Sequence, residues 1–96
     1  MPYRVEFTRA AFRASRKYPR PLRERIVTEA SVLEENPLAG KSLAPPLDFL
    51  RSLRFSWKGT SYRIAYSLKP KDELVLIHLV APRQNFYKRL RQILGL

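Results

Sequence analysis

Residues 49–71 read FLRSLRFSWKGTSYRIAYSLKPK, two runs of alternating apolar and polar residues joined by a short loop. Successive side chains of a strand point to opposite faces of a sheet. Leu53, Phe55 and Trp57 therefore share one face of the first run, and Ser52, Arg54 and Ser56 share the other. In the second run Tyr62, Ile64, Tyr66 and Leu68 form the apolar face, leaving Ser61, Arg63, Ala65 and Ser67 opposite. A hairpin that turns both apolar faces to one core puts Arg54 and Arg63 on the same outer face, where they can grip one anion between them. Arg51, Lys58, Lys69 and Lys71 add to the charge, and no acidic residue falls between Asp48 and Asp72.

The flanking chain supplies what such a hairpin packs against. Upstream, Tyr3, Val5 and Phe7 alternate with Arg4, Glu6 and Thr8, which predicts a short half-buried strand. Thr8 is a good cap for a helix from Arg9 to about Tyr18, with Ala10, Ala11, Phe12 and Ala14 as its small or apolar contacts. Pro19 stops that helix, and Pro21 suits the first turn of the next, whose Leu22, Ile26, Ala30 and Leu33 recur at helical spacing until Pro37. Leu38 to Asp48 has Gly40, Pro45, Pro46 and no sustained period, so it reads as a surface connection. Downstream, Pro70 and Asp72 mark a turn before LVLIHLV, a run apolar on both faces as in a covered central strand. After Pro82, a helix from about Gln84 carries Phe86, Leu90, Ile93 and Leu94 on one side. The order β-α-α-β-β-β-α predicts a single α+β domain over residues 1–96. Its sheet is small, mainly antiparallel and four-stranded, with an N-terminal helical hairpin and a C-terminal helix.

Composition narrows the function. Lys and Arg number 19 against 8 Asp and Glu in 96 residues, a formal net charge of +11. That balance calls for a polyanionic partner, nucleic acid foremost. Hydrophobic residues make up 45% of the chain in periodic runs, which excludes a disordered basic tail. There is no cysteine and one histidine, so neither a disulfide framework nor a metal or cofactor is expected. No run is long enough to span a bilayer and MPYRVEF lacks the apolar core of a signal peptide, so the expected setting is the cytoplasm, with no membrane contact. His78, inside LVLIHLV, is expected to be a hydrogen-bonded structural histidine, and Trp57 a lid on the core.

Several segments then fall into a familiar order. An opening YRVEF strand, a helical hairpin ending in LEENP, the segment KSLAPPLDFLRSLRF, then YRIAYSL and finally APRQNFYKRL resemble the RelE/ParE superfamily of type II toxin–antitoxin toxins over nearly the whole chain. The resemblance implies a RelE-like fold and one of two activities: ribosome-dependent endonuclease of messenger RNA, or poison of DNA gyrase. Carried over residue by residue, the cationic catalytic positions of the ribonuclease branch look similar to Arg54, Arg63 and Arg83, and its catalytic aromatic to Tyr87. Where that branch often has a second lysine in the strand, this chain has Ser52. Arg51, Lys58, Lys88, Arg89 and Arg91 are expected to face RNA or the ribosome. The resemblance also implies a cognate antitoxin, a small protein able to displace the C-terminal helix.

The chemistry suits these residue types. Attack of a ribose 2′-hydroxyl on the adjacent phosphate builds negative charge on phosphoryl oxygens, which arginine's planar fork binds two at a time while staying protonated. Protons must move by other groups, and the candidates are Tyr87, Lys58, His78, Asp72 and Glu73. A free tyrosine ionises near pH ~10, and neighbouring cations favour its phenolate. The expected division of labour has Tyr87 deprotonating the 2′-hydroxyl, Arg63 and Arg83 holding the phosphate, and Arg54 stabilising developing charge or positioning a proton donor. Two alternatives stand beside the ribonuclease: a non-enzymatic gyrase poison, for which Tyr87 is dispensable, and a plain basic nucleic-acid-binding module.

Overall fold

In the computed structural model, which describes residues 2–96, strand β1 (Arg4–Phe7) leads into helix α1 (Arg9–Ser15). The Thr8 hydroxyl caps α1 by accepting from the Ala11 amide at 3.1 Å. The helix stops three residues short of Tyr18, and Lys17 and Tyr18 are held instead by turn bonds to the Ala14 and Ser15 carbonyls. Helix α2 (Arg20–Glu35) has Pro21 in its first turn and buries Leu22, Ile26, Ala30 and Leu33, the expected stripe.

Strand β3 (Arg51–Trp57) and strand β4 (Thr60–Lys69) form the hairpin. Trp57 pairs with Thr60, so the loop is Lys58–Gly59, and both residues have positive φ (48° and 78°). Two such residues in succession match the twist of the flanking strands. A short 3-10 turn, Pro70–Asp72, then reverses the chain into strand β5 (Leu74–Pro82), and helix α3 (Phe86–Leu94) closes it.

A fifth strand departs from the four expected. Lys41–Ser42, here β2, pairs antiparallel with β3 at the sheet edge. It lies inside the stretch that reads as a plain connection, and two residues are too short to show a period. The sheet order is β1-β5-β4-β3-β2, antiparallel except for β1 against β5.

Both faces of the sheet are covered, as the doubly apolar run LVLIHLV predicts. On one side Phe55, Tyr62, Ile64, Tyr66, Val75, Ile77 and Val80 pack under α1 and α2 with Ala11, Leu22, Ile26, Ala30 and Leu33. Trp57 packs half-buried against this core. On the other side α3 and the connection 43–50 build a second core from Leu43, Leu47, Leu50, Ala65, Leu79, Ala81, Phe86 and Leu90. Ala65 is completely buried there rather than outward-facing. Phe12, expected to make apolar contacts, is instead 57% exposed, and Ile93 is more than one-third exposed.

The doubly apolar run in β5 uses both cores through a bulge. Ala65 pairs with Leu79 but Tyr66 with Ile77, so His78 is the extra residue. Such an insertion shifts the alternation by one position. Val75 and Ile77 face the helical hairpin before it, whereas Leu79 and Ala81 face α3 after it. His78 bonds to the Ser67 hydroxyl through Nε2 at 2.8 Å. Burial pushes its imidazole below the ordinary value, and Lys69 acts in the same direction.

Candidate anion-binding cleft

The hairpin register sets Arg54 directly opposite Arg63. Directly opposed residues on one face of an antiparallel pair bring their Cβ atoms to about 5 Å, close enough for both guanidinium groups to serve one anion. They line a cleft of about 480 Å³ together with Ala39, Lys41, Ser42, Leu43, Ala44, Ser52, Leu53 and Tyr87. No carboxylate is among these residues.

Helix α3 supplies the fixed partner of Arg63. Asn85 takes a left-handed conformation (φ 64°) before the helix, and Phe86 is buried in the second core. Tyr87 is thereby turned outward, 44% exposed, with its ring edge-on to Phe86 at 5.3 Å. The Arg63 guanidinium lies over both rings, 5.9 Å from Phe86 and 5.7 Å from Tyr87, and donates from Nη1 to the Tyr87 hydroxyl at 2.9 Å. Cation–π contact and hydrogen bond together hold this side chain in one place. Its Nε is buried without a partner, as is the Ser52 hydroxyl. Unpartnered buried polar atoms are costly and rare, and two of them border this one cleft.

The edge strand that borders the cleft is anchored by polar contacts from the opposite, helical-hairpin face of the sheet. Tyr66, fully buried, donates its hydroxyl to the Pro37 carbonyl at 2.8 Å and accepts from the Gly40 amide at 2.9 Å. Arg51 is turned into the same corner, donating to the carbonyls of Gly40 (2.9 Å) and Leu38 (3.3 Å). These bonds fix the chain just before Lys41, which stands directly opposite Ser52 and thus on the Arg54 and Arg63 face.

The structure brings Arg54, Arg63 and Tyr87 to one cleft, and Arg83 lines a second concavity. Arg83 follows β5, its amide bonded to the Ser61 carbonyl at 2.9 Å. It lines a neighbouring concavity of about 520 Å³ with Gly59, Thr60, Ser61, Pro82 and Gln84. Lys58 sits at the hairpin tip, its ammonium 4.9 Å from the Trp57 ring centre. Lys88 and Arg91 are exposed on α3, while Arg89 faces α1 in a recess with Arg13 and Lys17. Asp72 and Glu73 lie at the far end of the hairpin, in the turn before β5. The cleft residue that sequence reasoning missed is Lys41. Its signal, parity with Ser52, exists only once the edge strand is known.

Comparison with known proteins follows the same outline. The family model described as ParE-like toxin of type II bacterial toxin–antitoxin systems matches residues 5–91. Among solved structures, the Mycobacterium tuberculosis toxin–antitoxin complex RelBE2 contains a chain 33% identical to this one. The match has a TM-score of 0.73 and covers 86% of this chain and 93% of that one. A mutant of Escherichia coli toxin RelE in the free state superposes with a TM-score of 0.74 at 16% identity, over 96% of this chain and 93% of the other. The intact E. coli RelBE complex gives 0.68 at 19% identity, over 82% and 94%. No curated protein matches the chain.

Proposed function

The chain belongs to the ParE-like toxins of type II bacterial toxin–antitoxin systems, and from that premise we propose that it is an endoribonuclease toxin that cuts messenger RNA in the ribosome. The observation that carries this reading is the Arg63–Tyr87 hydrogen bond of 2.9 Å beside Arg54, in a cleft lined by no carboxylate. Arg54 and Arg63 grip the scissile phosphate, and their fixed donors meet charge as it develops on the phosphoryl oxygens. Tyr87 takes the proton of the attacking 2′-hydroxyl. Arg83, in the next concavity, binds an adjoining phosphate of the same strand. A cleft so open orients a flexible RNA poorly, and the ribosome supplies that orientation by presenting the message already aligned.

A cognate antitoxin belongs to the same proposal, and the toxin–antitoxin complexes among the similar structures support it. An acidic partner offsets the +11 charge. Its apolar segment has a place to bind where Phe12 and Val27, both more than half exposed, form a recess with Phe7 and Ile26 rimmed by Arg16 and Arg23.

Induction of the protein in cells tests the activity. The expected result is translation arrest with discrete message cleavage, lost in Arg63→Ala and lowered about 10²–10⁴-fold in Tyr87→Phe while folding is unchanged. Intact messages together with trapped gyrase–DNA breaks overturn the ribonuclease reading in favour of a gyrase poison.

A further inference from the structure

Cleavage by 2′-hydroxyl attack needs two proton transfers, one from the nucleophile and one to the departing 5′-oxygen. Tyr87 accounts for the first. None of the other groups that the sequence offers for proton transfer lies in the cleft: Lys58 is stacked on Trp57 at the hairpin tip, His78 is bonded to Ser67, and Asp72 and Glu73 lie at the opposite end of the hairpin. Arginine holds its proton too firmly to give it up. Of the residues that line the cleft other than Tyr87, the base, Lys41 is the one whose side chain ends in an ammonium group able to give a proton.

The position of Lys41 fits that task. It pairs with Ser52 across the sheet edge, so its side chain rises on the face that carries Arg54 and Arg63. The small Ser52 side chain leaves room for it, and Gly40 and Arg51 hold the main chain behind it. Tyr87 comes from α3, on the other side of the arginine pair as β4 and β5 carry the sheet toward that helix. Base and acid thus approach the phosphate from different elements, as an in-line displacement requires of the entering and leaving oxygens.

We propose that Lys41 is the general acid of this cleft, protonating the 5′-oxygen as it leaves. The step rests on the ribonuclease reading above. The 2′-oxygen–phosphorus bond forms as the phosphorus–5′-oxygen bond breaks. The 2′-hydroxyl proton passes to the Tyr87 phenolate oxygen, and the Lys41 Nζ proton passes to the 5′-oxygen. The products are a 2′,3′-cyclic phosphate and a 5′-hydroxyl, and exchange with water restores both side chains.

The test is single-turnover cleavage on ribosomes carrying a synthetic message, with either oxygen or sulfur as the 5′-bridging atom at the scissile linkage. A sulfur leaving group departs without protonation. Lys41→Ala is expected to slow the oxygen linkage about 10²–10⁴-fold and the sulfur linkage by less than about tenfold. Lys41→Arg, which keeps the charge but not the transferable proton, is expected to behave like Lys41→Ala. Equal slowing of both linkages by Lys41→Ala, no slowing of either, or recovery in Lys41→Arg overturns the assignment. If Arg63→Ala still slows both linkages in that case, the ribonuclease reading survives without Lys41; failure of the unmodified toxin to cut either message overturns both.

Discussion

Gly40 is the point at which the cleft wall is most exposed to test by a single methyl group. A Cβ placed there meets the Ser52 carbonyl oxygen at 2.7 Å, the Tyr66 hydroxyl at 2.8 Å and the Ser52 carbonyl carbon at 2.9 Å. Two of these atoms belong to the main chain of β3, which is tied to β4 on one side and β2 on the other. The strand cannot yield alone. Gly40→Ala therefore combines overpacking, about 1–3 kcal/mol, with strain on the buried bond between the Gly40 amide and Tyr66, about 1 kcal/mol. The sum, about 3 kcal/mol, corresponds to a fall in Tm of about 12–24 °C for a chain of this size. Tyr66→Phe removes the hydroxyl that serves both Gly40 and Pro37 and is expected to cost about 2 kcal/mol. In the double variant the contact at 2.8 Å disappears while that with Ser52 stays, so the combined loss falls short of the sum by about 1 kcal/mol. Urea unfolding followed by circular dichroism measures all of these through the midpoint at constant slope. A Gly40→Ala protein within about 0.5 kcal/mol of the parent, or strict additivity in the cycle, refutes the close packing of residue 40 against β3.

Three further outcomes follow from individual contacts. Tyr18 donates its hydroxyl to the Val80 carbonyl at 2.9 Å, and burial pushes its phenol above the ordinary value, with the nearby Arg89 acting the other way. Tyr18→Phe leaves that carbonyl unpaired and is expected to lower unfolding stability by about 1–2 kcal/mol, measured by denaturant titration. His78 has its folded-state value depressed below 6.5, so the unfolded chain binds the extra proton first and stability falls as pH drops below about 6.5. His78→Gln should flatten that decline between pH ~7 and ~5, read as Tm against pH; an unchanged decline means another group is responsible. Phe86 is the shelf beneath the Arg63 guanidinium. Phe86→Leu is expected to cost about 1–1.5 kcal/mol as a swap between large apolar side chains and to lower message cleavage more than that loss of folded protein explains.

The hairpin was legible because alternation, the loop and the placement of charge all agree within 49–71. Parity alone puts Arg54 and Arg63 on one face, and the observed register adds that they are direct neighbours. Helix α2 was equally plain, with its proline start and its Leu22, Ile26, Ala30, Leu33 stripe. The second core was legible only in part, through the doubly apolar β5 and the Phe86 and Leu90 stripe. Ala65 stands between Arg63 and Ser67, and only the arrival of Leu43, Leu47 and Leu50 from one side and Phe86 and Leu90 from the other makes its position interior. Lys41 escaped for a related reason: a two-residue edge strand has no pattern of its own, and its partner Ser52 lies across a connection broken by Pro45 and Pro46.

The distribution of ion pairs explains how so cationic a chain keeps its cleft available. Among the described residues, salt bridges join Arg4 to Glu6, Arg20 to Glu24 and Arg25 to Glu29. All three lie on β1 and α2, away from the arginine face. Exposed pairs such as Arg4–Glu6 and Arg20–Glu24 each stabilise a fold by about 0–1 kcal/mol, so similar pairs across Arg54 or Arg63 would add little to stability. They would also have to break before any phosphate entered. Arg63 is held instead by a phenol and two aromatic rings, contacts that fix the guanidinium without neutralising it. Arg51, the strand's other arginine, is fixed by neutral carbonyls in the same manner. A positive charge held still by uncharged partners keeps its full attraction for an anion, and the cost of ordering it is met when the protein folds rather than when RNA arrives.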